Sequence, residues 1–209
     1  MNGDLATTYD RIADDWHRDH QTDDWWVSGT DELLSRLPRG AHILDIGCGS
    51  GVKSAYMVSR GFRVTGIDTS EGLLTIARRE VPEADFKKFS MTELDAFEGD
   101  FDAVFAQASL LHIPRKDVAP VVRNMVVKTK PNGLVYLAVK EVHPDKPIEG
   151  VVKEHDYGYE YERFFSYFTM EELESYLRDA GSTVLWKARN PNPSGKTVWL
   201  QIIGKNIEH

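Results

Sequence analysis

The chain has 209 residues, 41% hydrophobic and 11% aromatic, enough to bury a substantial core and near the upper length for one domain. Its 33 acidic against 25 basic side chains give a net charge of −8, which offers no broad field for holding a polyphosphate backbone and excludes nucleic acid as the expected partner. The single cysteine, Cys48, rules out an internal disulfide framework and a cysteine-based metal cluster; no metal is expected, and a reducing, cytoplasmic location is.

The start, Met1 to Asp4, is acidic, and no window approaches the roughly 18 consecutive apolar residues of a spanning helix, so neither a signal peptide nor a membrane anchor is expected. Two helices come first. One is predicted over Leu5 to Asp19, with Tyr9, Ile12, Ala13 and Trp16 at helical spacing, and one over Asp23 to Leu37, stopped by Pro38-Arg39-Gly40. Short apolar runs then alternate with amphipathic segments. The runs are His42 to Ile46, Arg63 to Ile67, Asp85 to Phe89, Phe101 to Ala106 and Leu134 to Val139, with helices opening near Val52, Ser70 and Arg115. Strands separated by helices build a parallel sheet, because a parallel pair needs a crossover connection. Near the end, Thr169-Met170-Glu171-Glu172 has the form of a capping box for a helix to Ala180, closed by Gly181. Thr183 to Ala188 and Thr197 to Ile203 then read as a hairpin around Asn190 to Gly195, so the sheet ends with a reversed strand.

Gly47, Gly49 and Gly51 follow the first strand and precede a helix, where missing Cβ atoms permit a sharp turn and close approach of a nucleotide-like ligand. The bland alternative is a tight turn and nothing more. A nucleoside-triphosphate loop is nearly spelled by Gly47 to Ser54, but Val52 stands where its second glycine belongs, and Lys53 then reads as a solvated helix residue. A dinucleotide fingerprint fails at the same Val52. Asp45 discriminates further: a carboxylate at the end of the first strand repels a phosphate and suits an ammonium group.

Asp45-Ile46-Gly47-Cys48-Gly49-Ser50-Gly51 resembles motif I of class I S-adenosylmethionine-dependent methyltransferases. Asp68 ends the second strand about twenty residues on, the spacing of an acid that accepts from ribose hydroxyls; a helix cap at Asp68 or Thr69 is the structural alternative. The resemblance continues through Ser90-Met91 beside the adenine, with Ser90 where an acid is common, through Phe101 to His112, and through Lys130-Pro131-Asn132-Gly133-Leu134, covering roughly residues 41 to 140. It implies an α/β, doubly wound, seven-stranded and mostly parallel Rossmann-like sheet with a C-terminal antiparallel hairpin. It also implies S-adenosylmethionine as cofactor, S-adenosylhomocysteine as product, and a cofactor set of Tyr9, Asp45, Gly47, Cys48, Gly49, Asp68, Thr69, Ser90, Met91, Gln107 and Ala108. Tyr9 is expected to reach the methionine carboxylate.

In-line methyl transfer needs alignment of the acceptor and management of its proton. His112, after the fourth strand, is the candidate base because imidazole titrates near neutrality; its alternative role is packing the turn before Pro114. Lys140, Glu141, His143 and Tyr157 are weaker candidates. Residues 142–168 are long for a connection and rich in aromatics, which reads either as a lid over the acceptor or as an edge strand carrying Tyr157, Tyr159 and Tyr161 on one face. The expected acceptor pocket is Trp16, His112, Lys140, Tyr157, Arg163 and Phe165; the Trp25-Trp26 pair belongs either to its wall or to plain packing. One domain is expected: a helical cap (1–40), a cofactor-binding core (41–141), the lid or acceptor-binding insertion (142–168), and a terminal helix and hairpin (169–209). The expected function is methylation of an O, N or S atom of a small molecule, with a protein acceptor or a catalytically silent sensor or scaffold as alternatives.

Overall fold

The computed structural model describes residues 5–192 and 197–207, so the Pro193 to Gly195 part of the expected turn lies outside the described residues. Fifteen elements follow in chain order: α1 (Leu5–His20), α2 (Val27–Leu34), β1 (His42–Ile46), α3 (Val52–Ser59), β2 (Arg63–Asp68), α4 (Glu71–Glu80), β3 (Asp85–Lys88), β4 (Phe101–Gln107), α5 (Arg115–Val127), β5 (Thr129–Lys140), β6 (Glu149–Glu154), β7 (Tyr161–Ser166), α6 (Met170–Asp179), β8 (Ser182–Pro191) and β9 (Val198–Asn206). Short 3₁₀ turns cover Met91–Ala96 and Leu110–His112. Among the described residues no helix is long and apolar enough to cross a membrane.

Seven strands form one sheet in the order β3-β2-β1-β4-β5-β9-β8. The pairs from β3 to β5 are parallel and β9 runs antiparallel to both neighbours, as the alternating pattern and the closing hairpin predict. β1 is central, and its side chains alternate between two apolar layers. Leu44 and Ile46 pack with Val118, Val122 and Met125 of α5 and Leu173 and Leu177 of α6. Ile43 turns to the opposite face, with Leu33 of α2, Met57 of α3 and Phe105. Burial on both faces is why these strands read as near-continuous apolar runs.

The last two strands run three residues past the expected Ala188 and Ile203, and two other boundaries differ more. The second helix is shorter than Asp23 to Leu37, because the tryptophan pair divides: Trp26 is buried beside Tyr56, while Trp25 stacks on Trp199 with ring centroids 4.1 Å apart. β5 begins at Thr129, earlier than Leu134, since Thr129 already pairs with Phe101 and a register shift absorbs the Lys130 to Gly133 turn, with Asn132 at φ +65°.

The 142–168 segment is a separate two-stranded ribbon, β6 against β7, not an edge of the main sheet. Its inner side chains Tyr161, Arg163 and Phe165 are buried. The Ser166 hydroxyl donates to the Ile113 carbonyl at 2.7 Å and the Arg115 amide to Glu149 at 2.9 Å, which fastens the ribbon beside the end of β4.

The capping box is present in full, with Thr169 Oγ1 accepting from the Glu172 amide and Glu172 Oε2 accepting from the Thr169 amide at 2.8 Å. Replacing Thr169 by Ala removes one of these bonds and is expected to lower unfolding free energy by about 1 kcal/mol, read from urea denaturation midpoints.

Candidate active site

Strand order reverses between β1 and β4, and the loops leaving their carboxyl ends diverge to opposite sides of the sheet, which opens a crevice there. The glycine turn forms one wall. Gly47, Gly49 and Gly51 all have positive φ (+70°, +57° and +83°), a region that L side chains enter only with strain. A Cβ on Gly47 would lie 2.3 Å from the Ser109 Cβ, so the bare backbone is what lets the turn close against the chain leaving β4. Gly49 has open space in the corresponding direction.

Asp68, at the end of β2, sets the position of this turn. Its Oδ2 accepts the Gly49 amide and its Oδ1 the Ser70 amide, both at 2.9 Å. Ser70, not Asp68 or Thr69, caps α4, its hydroxyl accepting the Leu73 amide. The crevice continues as a cavity of about 290 Å³ lined by Gly47, Cys48, Gly49, Asp68, Thr69, Phe89, Ser90, Met91, Gln107, Ala108, Ser109, Tyr9 and His112. Gln107 Oε1 accepts the Tyr136 hydroxyl at 2.9 Å, which fixes the amide orientation. Its Nε2 and the neighbouring Ser109 Oγ are buried on the cavity wall with no partner among the described residues. Buried donors left unpaired are costly, so these two mark a place for a polar ligand group. Ala108, between them, has φ +59°, backbone strain located at the crevice.

A second cavity of about 370 Å³ adjoins the first and is walled by Trp16, Trp25, Lys140, Arg163, Phe165 and Trp199. Tyr9, Trp16, His20, Lys53, Ala108 and His112 belong to both.

Residues 43–133 match a family model described as a methyltransferase domain. The chain is 30% identical over 179 residues to the ubiquinone biosynthesis O-methyltransferase of Stutzerimonas stutzeri, covering 79% of this chain and 73% of that protein. The chain belongs to the class I S-adenosylmethionine-dependent methyltransferases. It is 32% identical over 159 residues to the protein of the same description from Pseudomonas paraeruginosa, covering 69% of this chain and 66% of that one. It spans about half to two thirds of the length of several curated relatives it matches. The same fold occurs in the 1,6-didemethyltoxoflavin-N1-methyltransferase of Burkholderia thailandensis, solved with 1,6-didemethyltoxoflavin and S-adenosylhomocysteine bound. The TM-score is 0.77 at 22% identity, over 98% of this chain and 88% of that one.

Three expected site residues of this methyltransferase sit differently from the sequence expectation. Asp45 lies beneath the glycine turn, not on the cavity wall; its carboxylate accepts the Ser54 hydroxyl at 2.7 Å, and burial pushes its pKa up to about 6. Tyr157 lines neither cavity, because it stacks on Tyr161 at the ribbon's end. The Tyr9 hydroxyl is already engaged, hydrogen-bonded to His112 Nε2 at 3.0 Å and accepting from Arg163 at 3.1 Å. Of the weaker candidates, Glu141 pairs with Arg189 and His143 with the Asp145 amide, both away from the two cavities.

His112 is more deeply placed than a base titrating near neutrality would be. Its Nδ1 lies 2.8 Å from the Phe164 carbonyl, which can only accept, so Nδ1 carries the proton and Nε2 accepts from Tyr9. Burial drives its pKa down to about 3, helped by the Arg163 and Lys140 charges. Lys53, expected in solvent, lines both cavities and is depressed by burial. Phe89, Trp199 and Lys53 are among the wall residues that motif spacing missed, whereas Ser109 falls within the Phe101 to His112 stretch; Lys53 was within reach of sequence, the second residue of the helix after the glycines.

Asp45 provides a pH test. Its folded pKa is raised, so its stabilising contribution is full below about pH 4 and is lost as pH rises through about 6. Asp45→Asn keeps an acceptor for Ser54 and is expected to stabilise the ligand-free protein by about 1 to 3 kcal/mol more at pH 8 than at pH 4, measured as the difference between paired urea titrations.

Proposed function

We propose that this protein transfers a methyl group from S-adenosylmethionine to an oxygen, nitrogen or sulfur atom of a small-molecule acceptor. The carrying observation is that two cavities meet at one wall, shared by Tyr9, Ala108 and His112, a donor chamber over the glycine turn and an acceptor chamber under the ribbon.

The donor chamber's residues fit the cofactor. Each Asp68 oxygen accepts one backbone amide and keeps a second lone pair, as ribose hydroxyls require. Phe89 and Met91 offer apolar surface for adenine with Ser90 as a polar neighbour, and the unpaired Gln107 Nε2 and Ser109 Oγ are donors for the methionine carboxylate. The Asp68 carboxylate on the wall, with Asp45 beneath the turn, leaves no place for a phosphate and suits a cationic ligand. Bound there, the cofactor supplies an activated methyl on a sulfonium.

The chain's own part is alignment and exclusion of water. The aromatic walls, Trp16 and Phe165 among them, cover the shared boundary. His112, held neutral with its Nε2 turned to Tyr9, orients groups at that boundary and does not serve as a strong base.

Calorimetry with S-adenosylhomocysteine is expected to show binding that Asp68→Ala weakens ten- to a hundredfold, about the worth of a charged hydrogen-bonding group; unaltered affinity would remove Asp68 from the cofactor site. Phenols, amines and thiols screened for S-adenosylhomocysteine production should yield turnover, whereas binding without turnover on any acceptor would point to a silent binder. For the active acceptor, His112→Asn is expected to lower kcat by less than about tenfold, with no limb near pH 6.5 in the wild-type kcat/KM profile. A loss of about 10² to 10⁴ with such a limb would make His112 the general base.

A further inference from the structure

Among the described residues the acceptor chamber has one cation without an ionic or hydrogen-bonding partner. Arg163 is buried and paired with Glu154 through two bonds of 2.5 Å. Lys53 lies in the fields of the Asp45 and Asp23 carboxylates. Lys140, at the end of β5, has no hydrogen-bond or ion-pair partner among the described residues, and feels Glu154 only at a distance, against Arg163 and Lys146. Its ammonium lies 4.1 Å from the centroid of the Phe165 ring and 5.8 Å from that of Trp199. Ring faces soften the cost of desolvating a cation without neutralising it. An ammonium held in a part-buried chamber by rings alone is placed for an anion that arrives with a ligand.

Ring surface supplies the second half of the specification. Trp25 and Trp199 stack with centroids 4.1 Å apart and planes 19° from parallel, forming a flat aromatic wall next to Lys140. Phe165 stands across from His112, its centroid 4.8 Å from that ring. Flat rings favour offset stacking with another flat ring.

We infer that the acceptor chamber takes a planar aromatic compound bearing an anionic oxygen, a carboxylate or a phenolate, seated with that oxygen on the Lys140 ammonium and its ring against Trp199. The inference rests on the methyl-transfer reading of the adjoining chamber. Lys140 here is a specificity-determining residue. It is distinct from the cofactor set, since it lines the second cavity alone.

Trp16, Trp25 and Trp199 make binding in this chamber visible as quenching of tryptophan fluorescence. The probes are 3,4-dihydroxybenzoate, 4-nitrocatechol as a phenolate near neutral pH, the methyl ester of the first as a neutral ring, and dopamine as a cationic one, each titrated with S-adenosylhomocysteine present. At least one of the two anions should bind about tenfold or more tighter than the ester, the worth of one charge-assisted contact, and which of them does so tells carboxylate from phenolate. Lys140→Met should erase that preference, Lys140→Arg should keep part of it, and S-adenosylhomocysteine affinity by calorimetry should stay within about twofold in both. The inference is overturned by ester or dopamine binding as tightly as the anions, by a preference that survives Lys140→Met, or by no saturable quenching with any ring. Absence of S-adenosylhomocysteine binding to the wild-type protein would instead overturn the methyl-transfer reading itself.

Discussion

The Asp68 carboxylate is the constraint on which the donor chamber depends. It ends β2, and by accepting the amides of Gly49 and Ser70 it joins the turn after β1 to the start of α4. The Gly47 and Cys48 amides donate to the Ile67 carbonyl at 2.8 and 3.1 Å, which fixes the same turn from one residue earlier. Two strand ends thus hold three glycines in left-handed conformations that the turn would not keep by itself. The cost of burying that carboxylate is offset in part by backbone amides, which are fixed dipoles needing no reorganisation when a ligand arrives.

The N-terminal helix α1 connects the two chambers. Asp10 accepts the Ser70 hydroxyl at 2.6 Å and the Gly72 amide at 2.8 Å, His17 bonds to Ser50 in the glycine turn at 3.0 Å, and Tyr9 reaches His112. On its outer side Asp15 accepts from Tyr159 of the ribbon segment at 3.0 Å. Only Ile12 and Ala13 of this helix are buried, against five residues of α5. Polar bonds spread along the helix therefore do much to seat it over the two chambers, with Tyr9 and Trp16 packed beside Ala13, Leu73 and Ile76.

The parallel core, the reversed β9 and the capping box at Thr169 were legible in sequence because each is written in local period or in a cap. The glycine turn was legible for a related reason, since left-handed backbone is a demand that few residue types meet; that Asp68 accepts the Gly49 and Ser70 amides was not. What sequence could not show was the direction in which buried polar groups point. Asp45 faces Ser54 beneath the turn, and Tyr9 faces His112, because partners from distant segments take them up. The ribbon was open between lid and edge strand since alternation at Tyr157, Tyr159 and Tyr161 suits either; pairing with β6 keeps it out of the main sheet, and of these tyrosines only Tyr161 lies in a strand. Trp199 enters the site by long-range packing, for which a single sequence carries no spacing signal.

Among groups lining or lying beneath the two chambers burial works in one direction, while Glu154 holds Arg163 in its charged form. Burial raises Asp45, Asp68 and Tyr9 and lowers His112, Lys53 and Lys140, the last to about 8, so every one of these groups is moved toward its neutral form. Such a wall is a weakly solvating medium. Displacement at a sulfonium by a neutral or anionic nucleophile spreads or cancels charge on the way to its transition state, and water opposes it by solvating the separated reactants better. A boundary that resists charge therefore favours the proposed transfer without any strong base, and it strengthens the pull of Lys140, unpaired among the described residues, on an acceptor's anionic oxygen.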